Sequence, residues 1–203
     1  MNPVFKKQNY RYAWYDKKAA GLICRACRDI KYAWQRIMRG YADCDIWSID
    51  SWFLSVIPDM LLQLKDTRHG SPGILGENYT NEDGILVNDT CHGEWDAILS
   101  EMIWLFRESD ESTCRKVNPY EEEHSRIFSE FEEKYGIFGQ KLMTEEEKSI
   151  SGDIRVHFAR ELPEYQEAEE FYFAEEKRLE EYREECKDKA FEMFSKWFWY
   201  LWD

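Results

Sequence analysis

The chain has 203 residues, 43% of them apolar and 16% aromatic, which suits one domain with a substantial core and excludes a disordered segment. A third of the residues are charged and the net charge is −14, so the surface is heavily ionised and direct nucleic-acid binding is not expected. No run nears the roughly 20 apolar residues of a membrane span, the opening residues lack an apolar leader, and six unevenly spaced cysteines do not read as a disulfide framework. A cytoplasmic protein without membrane contact is the expectation.

The charge is divided. Residues 1–40 hold ten Lys/Arg against Asp16 and Asp29, a net of +8, and the other 163 residues carry −22. Such a split implies either internal complementarity or two faces of opposite sign. A basic helix lying against an acidic one is the preferred form, since it needs no partner.

The first helical pattern runs from about Ala19 to Met38, with Leu22, Ile23, Ala26, Cys27, Ile30, Ala33, Trp34, Ile37 and Met38 at three- and four-residue intervals. Gly40 is a natural stop. A second helix starts near Asp43 or Asp45 as caps and carries Ile46, Ile49, Phe53, Val56, Ile57, Met60, Leu61 and Leu64. Pro58 inside it predicts a kink or a break. From His69 to Gly93 glycine, proline and asparagine punctuate a long loop, with Ile85–Val87 as one strand of a short hairpin.

A third helix is predicted over Glu94–Glu108 and a fourth over about Tyr120–Tyr135, burying Ile127, Phe128 and Phe131. Thr144 and Glu147 have capping-box spacing. Ile154–Phe158 reads as a short strand or a helical turn. Pro163 opens the last helix, which runs to about Tyr200. Its charged first half is expected to project into solvent, and its second half, with the run Trp197–Trp202, to be buried. The fold class expected is all-α or mostly α: a compact helical bundle in one domain, 1–203, with a long 69–93 loop and a long C-terminal helix.

Three separated blocks resemble a family of uncharacterised proteins found widely in tailed bacteriophages. RGYADCDIWSIDSWFLSVIPDMLLQL (39–64) is similar to the family's "RGYSDxDLWxLDxxLxxxIxPxLxxF", EWDAILSEMIWLFR (94–107) to its "EWDEILDKMIxxF", and AFEMFSKWFWYLWD (190–203) to its ending "GLxLFxKYFxxLWD". The resemblance covers about a third of the chain. It implies phage origin and a shared helical scaffold at about 39–66, 94–108 and 185–203, with 1–38, 69–93 and 110–184 as elaborations. It implies no activity.

Several constellations are candidates for chemistry. Cys24 and Cys27 form a C-x-x-C, and Cys44, Cys91 and His92 are the further residues from which a zinc site would be drawn. Cys27 on an apolar face reads more simply as a buried thiol. Asp43, Asp45 and Asp50 around Trp47 suit a divalent cation, or, as preferred, helix caps with Asp50 paired to Arg36 or Arg39. His69 and His92 flank the long loop near Glu94 and Asp96, the place for a hydrolytic site. Arg25, Arg28, Lys31, Arg36 and Arg39, interleaved with Tyr32 and Trp34, suit an anionic ligand. The acidic terminal helix, which can mimic the charge of DNA, is read as a solvated face.

No catalytic signature is recognised and no cofactor is expected. The leading expectation is a phage-encoded, non-enzymatic interaction protein in the host bacterial cytoplasm. It would bind a host protein and inhibit an antiviral defence factor; Arg25, Arg28, Arg36, Arg39, Asp43, Asp45, Trp47 and Asp50 are the candidate binding residues. The alternatives are sequestration of an anionic nucleotide signal on the basic helix and a metal-dependent hydrolase.

Overall fold

The computed structural model describes residues 19–76, 79–80, 83, 86–87, 90–145, 147 and 156–202; the side chains of 19–24, 79–80 and 86–87 are outside that description. Helix α1 spans Ala19–Arg39. A 3-10 turn at Asp43–Ser48 leads into α2, Ile49–Thr67. The long loop holds β1 (Tyr79–Thr80) and β2 (Leu86–Val87), paired antiparallel with Tyr79 opposite Val87. Then come α3 (Cys91–Ser109), α4 (Glu121–Tyr135) and α5 (Pro163–Trp197), which ends in a 3-10 turn at Phe198–Tyr200. The fold is helical, as the periodicities predict.

The main core lies where α2 and the second half of α5 pack on α3. Trp95, Leu99, Met102 and Phe106 of α3 are all fully buried, at the three- and four-residue spacing that puts them on one face. Trp95 meets Trp197 edge-on at 5.3 Å between ring centroids. Phe53, Phe106, Phe191 and Phe194 form an aromatic cluster with centroids 5.3–5.9 Å apart. Such ring pairs add ~0.5–1.5 kcal/mol beyond area burial.

A second, smaller core joins α4 to the first half of α5 through Ile127, Phe131, Ala159 and Tyr165. Helix α5 is therefore the spine that both cores share. Two polar contacts pin it between them. Tyr182 donates to the buried Glu108 carboxylate at 3.0 Å, and the buried Asn118 donates to Tyr172 O and to Glu176 at 3.1 and 2.9 Å.

Four expectations are corrected. Helix α2 does not break at Pro58 but continues through it, because residues on both sides of it, Phe53, Leu54, Ile57, Leu61 and Leu64, pack into the main core. Phe128 is half exposed, lying off the face that carries Ile127 and Phe131. The first half of α5 does not simply project: Tyr165, Glu169 and Leu179 are buried. In the C-terminal run Trp197 is buried, but Trp199 and Trp202 are 81% and 71% exposed, since the 3-10 turn rotates them off the core-facing stripe. Of Ile154–Phe158, residues 154 and 155 lie outside the described residues and 156–158 adopt no regular structure. The capping pair Thr144 and Glu147 forms as expected, each accepting the other's backbone N–H.

Candidate interaction surface

Helix α1 is held to the body by its polar face. Arg36 donates to Asp45 twice, Nε to Oδ2 at 3.0 Å and Nη2 to Oδ1 at 2.6 Å. Asp45 also accepts the Ala42 backbone N–H at 2.7 Å, closing the start of the 3-10 turn. Asp43 is shared by Gln35 at 2.7 Å, Lys31 at 3.0 Å and Arg39. The Gln35 amide, with Arg39 and Lys31, holds the Asp43 carboxyl well below the usual carboxylate range. Burial raises Asp45, but the Arg36 guanidinium and the Ala42 amide outweigh it, so its carboxyl is lowered too.

Successive residues of an α-helix are rotated by ~100°. Gln35 and Arg39, which grip the 3-10 turn, therefore sit opposite the stripe Ala26, Ile30, Trp34 and Ile37. That stripe faces water. Ile30, Trp34, Ile37 and Met38 are 69%, 62%, 63% and 65% exposed. This overturns the reading of Cys27, on the same apolar pattern, as a buried thiol. Of the predicted internal complementarity, Lys31, Arg36 and Arg39 pair with Asp43 and Asp45 next in sequence, and Lys6, Lys7, Arg11, Lys17 and Lys18 lie outside the described residues. The turn that clamps α1 carries exposed apolar residues of its own, Ile46 and Trp47, the latter 93% exposed.

The other predicted site residues fare differently. Asp43 and Asp45 come together with Arg36 and Arg39, but as charge partners that leave no uncompensated acidic cluster for a cation. Asp50 pairs with neither arginine and accepts the Ser48 hydroxyl instead. Arg25 and Arg28 lie further along α1, each with interactions of its own. Cys27 is exposed, not buried, and Cys24 lies outside the described side chains. Cys44 sits beside Asp45, and Cys91 is buried at the start of α3. Among the described residues no group of three His, Cys, Asp or Glu is placed to hold a metal.

At the long loop His92 Nδ1 meets the Ser71 hydroxyl at 2.7 Å. Asp96 is drawn to Arg68, which also reaches the His92 carbonyl, and Glu94 caps the Gly76 amide at 3.1 Å. These contacts tie the end of α2 to the start of α3. No described helix is long and apolar enough to cross a membrane.

Sequence reading missed one group. Lys65, Trp104, Arg107 and Arg115 line a cavity between α2, α3 and the segment after α3. The cations stand on three separate stretches of chain, so no local motif marks them. Set against models of known families, curated proteins and solved structures, the chain matches none of them.

Proposed function

We propose that the protein works by binding another protein and not by transforming a substrate, with α1 as the docking element. The carrying observation is the outward apolar stripe Ile30, Trp34, Ile37 and Met38 on a helix anchored by its polar side. Soluble chains seldom leave such a stripe uncovered, and an amphipathic helix laid into an apolar groove is a recurrent recognition mode. Trp is also prominent among the side chains that dominate binding energy. The +8 charge of residues 1–40 favours a groove with an acidic rim.

The partner proposed is a factor of the bacterial host, inhibited by the contact in the host cytoplasm. The support for that part is the resemblance of the three blocks to tailed-phage proteins. The test compares the wild-type chain with Ile30→Glu/Ile37→Glu as bait in host lysate, followed by rebinding of the captured protein in purified form. Capture and rebinding that the double variant abolishes, with its circular dichroism unchanged, support the reading. Capture that the variant leaves intact, or a wild-type chain that buries the stripe by pairing with itself in light scattering, overturns it.

A further inference from the structure

A cavity of about 240 Å³ opens between Lys65 on α2, Trp104 and Arg107 on α3, and Arg115 on the segment that follows. Its charge is opposite to that of the chain. Three cations line it in a protein of net charge −14. Arg107 reaches Asp59 at 3.4 Å and Arg115 reaches Glu108 at 3.7 Å, both longer than a good charge-assisted hydrogen bond. Lys65 has no carboxylate partner among the described residues.

The wall between the cations is apolar and aromatic. Leu62 and Ile103 form it, and Trp104 is 40% exposed, leaving indole surface open to a planar ring. Glu108 completes the wall, 2% exposed. One of its oxygens accepts the Tyr182 hydroxyl and the other the Arg115 amide, and its single negative charge is outnumbered by the three cations of the lining. A dianionic head on three cations and a flat ring on an indole are complementary to this lining. The volume lies just under the roughly 300 Å³ at which pockets for larger organic molecules begin. That admits one base and sugar, with the phosphate at the rim.

We propose that this cavity binds a nucleoside monophosphate, the phosphate held by Lys65, Arg107 and Arg115 and the base stacked on Trp104. The proposal does not depend on α1, whose arginines the sequence favoured for such a ligand. Lys31, Arg36 and Arg39 there are already paired to Asp43 and Asp45.

The test is calorimetric titration of the full chain with the four ribonucleoside monophosphates, with adenosine and with inorganic phosphate. Lys65→Gln and Trp104→Leu are titrated alongside after their circular dichroism is shown to match the wild type. At least one monophosphate should bind, and each variant should weaken it by about tenfold or more, with affinity falling as salt rises. Adenosine and phosphate alone should bind far more weakly. Absence of binding by every monophosphate, binding that both variants leave unchanged, or phosphate binding as tightly as any nucleotide would overturn the proposal.

Discussion

Arg36 holds Asp45 through two parallel hydrogen bonds, and the carboxylate it grips is 3% exposed. This fork, not apolar burial, fixes α1 to the body. Removing one partner of a buried pair leaves an uncompensated charge at a cost of about 3 kcal/mol. Arg36→Met keeps the apolar stem and removes the fork. Amide exchange over residues 27–39 is expected to accelerate on the order of a hundredfold, the factor that energy implies, with the Trp95 core unaffected. Exchange unchanged in α1 would show that something else holds it.

The same clamp is acid-labile. The Asp45 carboxyl is lowered in the folded chain, so its contribution is complete above the ordinary carboxylate value of about 4 and disappears as pH falls through the folded value. Asp43, also lowered, acts in the same direction. As pH falls below the ordinary carboxylate value of about 4, limited proteolysis should attack α1 progressively faster, before near-ultraviolet dichroism reports loss of the tryptophan core. Asp45→Asn should flatten that pH dependence.

Two tryptophans distinguish the core from the exposed stripe of α1. Trp95→Ala empties a fully buried site against Trp197 and is expected to cost about 3–5 kcal/mol. Trp34→Ala, on the exposed stripe, should stay within about 0.5 kcal/mol. Urea midpoints of the two variants check both values, and a large loss at Trp34 would mean that the stripe is packed within the chain.

Gly139 sits at φ +65° in a tight stretch of the smaller core. A Cβ there would lie 2.7 Å from the His157 Cβ and 3.1 Å from its carbonyl oxygen. Backbone cannot yield as a flexible side chain can, so Gly139→Ala should destabilise by at least about 1–3 kcal/mol. Gly40→Ala, at φ +83° with open space around it, isolates the conformational part and should cost about 1 kcal/mol. Thermal melts of the pair make the comparison.

Tyr182 joins α5 to Glu108 of α3. Tyr182→Phe should cost about 1–3 kcal/mol, because the buried carboxylate loses a donor. Burial, then hydrogen bonding to Cys186 and Glu108, pushes the Tyr182 hydroxyl far up. Burial, with the nearby Glu121 and Glu176 charges, pushes Tyr172 up to about 12. A raised folded value stabilises the chain below the ordinary tyrosine value of about 10 and is lost above it. Stability measured in urea should therefore decline between about pH 10 and 12, and less steeply in Tyr182→Phe.

Helix positions were legible because stripes such as Trp95, Leu99, Met102 and Phe106 recur at helical spacing whatever they touch. What a stripe faces was not legible. Ile30, Trp34 and Ile37 show the same periodicity as the core helices, yet their orientation is set by Arg36 and Asp45, nine residues apart and linked through a turn. Pro58 misled for a related reason, since propensity counts the missing amide and not the packing on either side. The cations of the α2–α3 cavity were invisible because Lys65, Arg107 and Arg115 stand on separate stretches of chain and line one cavity only once the chain is folded.

Helix α5 has 35 residues, so it is about 52 Å long. One end is seated at Tyr165 in the smaller core and the other at Trp197 in the larger. Each core therefore buries part of the same helix, and a substitution that loosens α5 at one end weakens an element that the other core also needs.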